Sequence, residues 1–315
     1  MNNDIFSKKE KKGLVMKAYK YIFKKSMLSF LGALLIITAI DFSFNFFSEI
    51  EDINNNYTYL DALLYLIASE PYRIRSFIYL AAVVGFLAVF VDANFLRAFN
   101  TVRQAGLNKT KYAFMIFAPV VLLSMASYEF FIPELTKNAA EIRKSKVSSS
   151  TDNLPVIIEI QERADDGFIL VSEDLSLSFD KKGYLEIKDQ YSGEFSKLNY
   201  NSNIKHLSFS ELIENSSSSF EKFSLVSKTE LLRRSLNFLC YIVIFMIGLE
   251  ILLSFSKTLN VNRILVYGFG ACLIYGFVES VFADSIAVFL LPFYLQAFPI
   301  FLILMYYLFR KRFFF

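Results

Sequence analysis

From Met27 to Phe47 the chain runs 21 residues with a single charge, Asp41. At about 1.5 Å of rise per residue, a helix over that stretch covers the roughly 30 Å hydrocarbon core of a bilayer. Five further stretches have the same character: Ser76 to Leu96, Tyr112 to Phe131, Leu236 to Phe255, Ile264 to Phe282 and Phe289 to Phe309. The backbone of such a segment has to satisfy its own hydrogen bonds, which leaves the helix as the one spanning form these lengths allow. The composition agrees, with 55% hydrophobic residues, 36 Phe and 18 Tyr. Six spans in a three plus three arrangement exclude a cytosolic enzyme and a secreted domain. The first run is not a cleavable signal, because 26 polar-rich residues precede it and no small-x-small site follows. Tyr57 to Glu70 is apolar but short and stops at Pro71, which predicts an interfacial helix leading into the second span.

Basic residues orient the spans. Eight Lys lie in the first 26 residues, Arg97, Arg103, Lys109 and Lys111 follow the second span, Lys257 and Arg263 the fourth, and Arg310, Lys311 and Arg312 the sixth. These segments fall on one side, the cytoplasmic one by the positive-inside rule. The opposite connections carry Glu49, Glu51, Asp52, Asp61, Glu70 and Asp284. The predicted organisation is residues 1–132 with spans one to three, an extracytoplasmic insert at 133–229, and spans four to six at 230–315.

The insert alternates like strands. Leu175, Leu177 and Phe179 interleave with Ser176 and Ser178, a turn at 180–183 follows, and Leu185 and Ile187 interleave with Glu186 and Lys188. Val156 to Ile160, Phe168 to Val171, Phe195 to Tyr200 and Leu207 to Phe209 add shorter candidates, together a small antiparallel sandwich. Ser216 to Ser219 reads as a flexible return to the fourth span. The fold class is therefore an α-helical polytopic membrane protein of six transmembrane helices with an inserted antiparallel β domain.

Chemistry by side chains alone is poorly represented. His206 is the lone histidine and reads as a solvated strand-end residue, so histidine-based metal sites and a Ser-His-Asp triad have no support. Cys240 and Cys272 sit in apolar runs as small hydrophobic thiols. No Walker A sequence occurs, and Gly268 and Gly270 lie mid-span, where they permit close packing. The basic runs abut spans, which favours anionic lipid over nucleic acid. No catalytic residue, cofactor or metal is expected.

The informative residues are ionisable groups in or beside the spans. Asp41, Glu129, Glu250 and Glu279 each cost about 2.5 to 3.5 kcal/mol near a helix centre, so each is expected to face protein, water or a partner charge. Arg73, Arg75, Arg233 and Arg234 gather where the second and fourth spans begin, and guanidinium groups there can hold phosphate oxygens bidentately. Snorkelling toward the interface explains them as well.

Three local segments carry a family resemblance. DFSFNFFSEIEDI, Asp41 to Ile53, resembles the end of the first span in the LptF/LptG family of lipopolysaccharide export permeases, in the LptG style. FLRAFNTVRQAGLN, Phe95 to Asn108, is similar to that family's coupling segment. SYEFFIPELTKNAAEIRKSK, Ser127 to Lys146, resembles its exit from span three. Pro292 and Pro299 and the paired Arg before span four also fall in place. The chain carries Arg97 and Ala98 where the family usually has Ser-Glu, and Asn45 where some members have a basic residue. Its insert of roughly 97 residues is shorter than the family's jelly roll, which makes the β domain a reduced version of it.

The resemblance implies a permease subunit in the bacterial inner membrane, multi-pass, with cytoplasmic termini and a periplasmic β domain. It would extract lipopolysaccharide through a lateral opening and pass it to periplasmic bridge proteins of the LptC/LptA kind. A second six-span, LptF-like permease and a cytoplasmic ATPase dimer would be partners, the latter gripping a coupling helix near 92–106 with Asp92, Arg97, Ala98, Arg103 and Gly106. Asp41, Asn45, Arg73, Arg75, Arg233 and Arg234 are the lipid-contact candidates. The competing expectations are a membrane-anchored periplasmic interaction or sensor protein without transport, and a divergent paralogue exporting another lipid.

Overall fold

The computed structural model describes residues 2–53, 57–147, 159–162, 168–171, 175–179, 184–189, 195–199, 207–217, 221–254 and 261–314. Helix α1 covers Asn2–Ile50, α2 Tyr59–Ala88, α3 Ala93–Gln104, α4 Lys109–Phe130 and α5 Ile132–Val147. Five strands follow, β1 Glu159–Glu162, β2 Phe168–Val171, β3 Leu175–Phe179, β4 Tyr184–Asp189 and β5 Phe195–Asn199. Then come α6 Phe209–Ser216, α7 Glu221–Ser254, α8 Val261–Phe289 and α9 Phe298–Phe314. Among the described residues, five helices are long and apolar enough to cross a membrane, and the two arms of α2 supply a sixth where they count as one span. That fits a multi-pass membrane protein.

Helix α2 differs from the expectation at Pro71. A capping box starts it, with Asp61 N–H donating to Thr58 Oγ1 and Thr58 N–H donating to Asp61 Oδ2 at 3.0 Å. Pro71 does not end the helix: the chain continues to Ala88 and changes direction by 66° between Tyr59–Arg75 and Phe77–Val91. A proline lacks the N–H for its i−4 carbonyl and crowds it, so the turn before it is weakened while the flanking turns persist. The second arm closes with a 3-10 turn at Val89–Val91, and α3 starts at Ala93, so the span ends short of the predicted Leu96.

Helices α1 and α2 approach closely at Gly85. A Cβ there would stand 2.6 Å from Phe30 Cα, and Ser29 Oγ donates to Gly85 O at 2.6 Å. Only a residue without a side chain permits this crossing. Around it, Phe30, Phe86, Phe117 and Phe245 pack ring against ring, with the Phe86–Phe117 centroids 5.1 Å apart. This aromatic core draws on α1, α2, α4 and α7.

The predicted sixth span is also shifted. Phe289 is the last residue of α8, and Leu290 follows with a φ of 51°. Leu291 N–H donates to Ile286 O at 3.2 Å, the 6→1 bond of a Schellman stop, and Pro292 prevents continuation. A 3-10 turn at Phe293–Ala297 then leads into α9.

Strands β1 to β5 pair antiparallel in sequence order, with Leu177 opposite Ile187 and Phe179 opposite Leu185 in Cα register. The described strands form one sheet with neighbours in sequence order. The turn at 180–183, His206 and the start of the first predicted strand lie outside the described residues. The predicted strand at Leu207 to Phe209 is corrected: Ser208 caps α6, accepting from Glu211 N–H at 3.1 Å while Ser208 N–H donates to Glu211 Oε2 at 2.7 Å. That Ser-x-x-Glu capping box outweighs the short apolar alternation. Ser216, predicted as the start of a flexible return, is the last residue of α6.

Candidate functional site

Connectivity divides the bundle into two ends. One holds α3 and the basic residues Lys25, Arg97, Arg103, Arg263 and Arg310, and is called the basic end. The other gathers the end of α1, the first arm of α2, the end of α4, the start of α7 and the junction of α8 with α9.

At the basic end, α3 alternates faces with helical period. Phe95, Phe99 and Val102 are buried, while Arg97, Asn100, Thr101, Arg103 and Gln104 are exposed. The buried face enters an aromatic socket: Phe90 to Phe95 and Phe90 to Phe99 are edge-on at 5.0 and 5.1 Å, and Phe99 meets Tyr112 at 5.0 Å. Tyr112 in turn lies 2.8 Å from Ser26 Oγ of α1. The helix is thus packed by rings onto the turn after α2 and onto α4, whose Tyr112 ties it to α1, with a polar ridge outward.

Asp92 caps α3, accepting from Asn94 N–H at 2.9 Å, and faces Lys25 Nζ at 3.6 Å. The Asn94 amide, followed by the Phe95 amide and Lys25, holds its carboxyl below the usual carboxylate range. Gly106 ends the helix with a φ of 104°; its N–H donates to Arg103 O, and Leu107 N–H donates to Val102 O, both at 3.1 Å. A left-handed residue is required there, and glycine adopts it without a Cβ penalty. Of the predicted coupling residues, Arg97, Arg103 and Gly106 lie on the exposed side, whereas Ala98 is half-buried against the core.

The far end is organised by charge. Glu230 of α7 receives Arg234 Nε at 2.9 Å, Arg233 at 3.1 Å and Arg75 of α2 at 3.5 Å. Arg233 also donates to Glu279 of α8, whose Oε1 accepts from Gln296 Nε2 at 3.2 Å. Arg234 reaches Leu207 O at 2.6 Å. Two guanidinium groups lie against the Tyr128 ring of α4, Arg75 at 4.8 Å and Arg234 at 4.6 Å. The network joins α2, α4, α7, α8, the turn before α9 and the approach to α6. Among the described residues, three arginines share two glutamates. Arg75, Glu230, Arg234 and Glu279 are all under a tenth exposed, the geometry in which charges have to be paired and hydrogen-bonded.

Two smaller clusters stand beside it. Arg73 donates to Asp41 at 2.9 Å, Glu70 at 2.5 Å, Ser69 at 2.7 Å and Leu66 O at 3.1 Å. Asn45 Nδ2 donates back to Asp41 O at 2.7 Å. Arg143 of α5 donates to Asp52 and, at 3.0 Å, to Glu49, which also accepts from Tyr57 Oη at 2.9 Å. Burial lowers the Arg143 pKa, but the hydrogen bond to Asp52 and the Glu49 charge outweigh it and leave it raised. Burial, then the bond to Glu49, raises the Tyr57 phenol.

Each of the four arginines singled out for phosphate contact is therefore committed to carboxylates of the chain itself. A cleft of about 290 Å³ runs beside the main network, lined by Arg75, Tyr128, Arg233, Asn237, Tyr241 and Glu279 among others. Asn237 Oδ1 has no partner among the described residues. Glu129 caps α6, accepting from Phe209 N–H at 3.0 Å and Ser210 Oγ at 2.7 Å. Glu250 accepts from Tyr307 Oη at 3.2 Å and links α7 to α9.

Sequence reasoning passed over Glu230, the hub, although Glu230, Arg233 and Arg234 stand at i, i+3 and i+4, the spacing that places them on one helix face. Arg143 and Gln296 gave no such local signal, since their partners lie 94 and 17 residues away. Cys240 and Cys272 are buried and free, as expected. No group of His, Cys, Asp and Glu able to hold a metal occurs among the described residues. Compared with known proteins, the sequence matches no family model and no curated protein.

Proposed function

We propose that the chain is one permease half of an ABC-type exporter that takes lipopolysaccharide, or a lipid of similar amphiphilic and anionic character, out of the inner membrane. A separate cytoplasmic ATPase drives it, a second six-span permease completes the path, and a periplasmic bridge receives the lipid. The observation that carries this reading is α3. A twelve-residue helix between two spans, held by three buried apolar side chains and presenting Arg97, Thr101 and Arg103 outward, has the form needed to pass motion from a docked motor into α2 and α4. The segmental resemblance to the LptF/LptG family points the same way. In this reading the basic end is cytoplasmic, and the strands between Glu159 and Asn199 belong to a reduced, jelly-roll-like periplasmic domain.

The buried ion pairs refine the mechanism. Charge networks between packed helices have discrete arrangements, so the Glu230 hub can act as a latch that holds α2, α7 and α8 together until motion at α3 loosens them. Arg75 and Arg233 would then meet lipid phosphate only in the opened state.

The test is purification of the full chain from its native membrane in mild detergent, with mass spectrometry of what accompanies it. An ATPase, a second six-span chain and lipopolysaccharide together support the proposal. A chain accompanied only by periplasmic proteins refutes it and favours an anchored interaction module. Within a reconstituted complex, Arg103→Glu is expected to reduce lipid-stimulated ATP hydrolysis at least about tenfold, the loss that goes with about 1.4 kcal/mol of coupling.

A further inference from the structure

The function proposed above leaves one feature of the basic end unused. A groove of about 470 Å³ runs along α7, α8 and α9, walled by Ile244, Ile247, Ile251, Tyr267, Ala271 and Tyr306. Gly248 and Gly268 line it as well, and Leu87 of α2 stands behind them, its Cδ1 lying 3.1 and 3.0 Å from where a Cβ would be on each. The wall between α7 and α8 is therefore shut, and the groove opens outward from the bundle. Its three helices are all candidate membrane spans, which puts the groove at hydrocarbon depth in a bilayer. Arg310 completes the lining near the end of α9 and makes no hydrogen bond or ion pair among the described residues. Glu250, next to Ile251, is engaged by Tyr307 from α9.

We propose that this groove holds one acyl chain of an anionic phospholipid from the leaflet at the basic end, with Arg310 on the lipid phosphate. A hollow lined almost wholly by apolar side chains takes a hydrocarbon chain with no polar group left unpaired. A guanidinium at the end of a span reaches the head-group level and binds phosphate oxygens bidentately. The combination of an apolar trough with a cation at its interfacial end, unpaired among the described residues, complements the two parts of an anionic lipid, hydrocarbon and phosphate. This inference does not depend on transport or on an ATPase.

The experiment is native mass spectrometry of the full-length chain in detergent, titrated with phosphatidylglycerol or phosphatidylcholine. The wild-type protein is expected to retain one phosphatidylglycerol per chain and to prefer it over phosphatidylcholine. Ala271→Phe fills the trough from an exposed position and is expected to weaken retention of both lipids at least about tenfold. Arg310→Gln is expected to abolish the preference while leaving phosphatidylcholine retention unchanged. Equal retention of the two lipids by the wild-type chain, or retention unaffected by Ala271→Phe, overturns the proposal. So does a lipid-free dimer that Ala271→Phe dissociates, because it would make a second copy the occupant.

Discussion

At the basic end, Phe90, Phe95, Phe99 and Tyr112 close the bundle ring against ring, whereas at the far end Arg75, Arg233 and Arg234 close it on Glu230 and Glu279. Both closures bury their side chains, yet they respond to change differently. Ring packing is a sum of many weak contacts, so a slightly smaller apolar residue loses a fraction of them. A buried ion network is all or none: removing one member strands charges whose desolvation is no longer offset. The first suits a joint that has to stay rigid while force passes through it. The second suits a contact with two states.

The comparison breaks most clearly at its hub. Glu230→Ala removes the carboxylate that Arg75, Arg233 and Arg234 share and is expected to destabilise the chain by about 3–5 kcal/mol. Thermal unfolding in detergent reads this directly, and a Tm within a degree of wild type would show that water or lipid already neutralises those arginines. At the aromatic end, Phe99→Leu keeps an apolar side chain of nearly the same bulk and should cost only about 1–1.5 kcal/mol in the same assay. A loss as large as that of Glu230→Ala would erase the distinction between the two ends.

Gly106→Ala places a Cβ at a φ of 104° and should destabilise the end of α3 by about 1 kcal/mol. Hydrogen exchange at Leu107, whose amide donates to Val102 O, is the local measurement. Leu290 holds the equivalent stop of α8 with a φ of 51°, so Leu290→Gly is expected to stabilise by up to about 1 kcal/mol, seen as a raised Tm. The smallest effect concerns acid. Asp92 has a carboxyl pKa held below its ordinary value. Its contribution is present above the ordinary carboxylate range and is lost as pH falls through the lowered value. Amide protection at Asn94 should decline there in the wild type and stay level in Asp92→Asn, which keeps the cap without the charge.

Much of the helical framework could be read in advance because hydrophobic span length is a local quantity. The third span falls inside α4 but for Phe131, the described part of the fourth falls inside α7, and the fifth falls inside α8. Errors arose where a local signal competed with a stronger one. The apolar alternation of Leu207 to Phe209 yielded to the capping box of Ser208 and Glu211, a motif visible in the sequence and passed over. Pro71 ends the short apolar run in the sequence, yet the helix continues through it with a bend, and α1 meets both arms, through Asp41 at Arg73 and Ser29 at Gly85. Phe289 opens the last apolar run in the sequence, but the left-handed Leu290 and the following Pro292 place the break just after it.

By itself, the sequence determined that the chain is built on long apolar helices and that Arg97, Arg103, Lys109 and Lys111 lie between the second and third of them. Each of these depends on residues a few positions apart, where periodicity and hydropathy act. Only the tertiary structure decided what the charged residues do. Arg75 meets Glu230 across 155 positions, Arg143 meets Glu49 across 94, and Arg73 meets Asp41 across 32. In a low-dielectric interior a charge is defined by its partner, and which carboxylate stands within 4 Å of which guanidinium is set by helix packing.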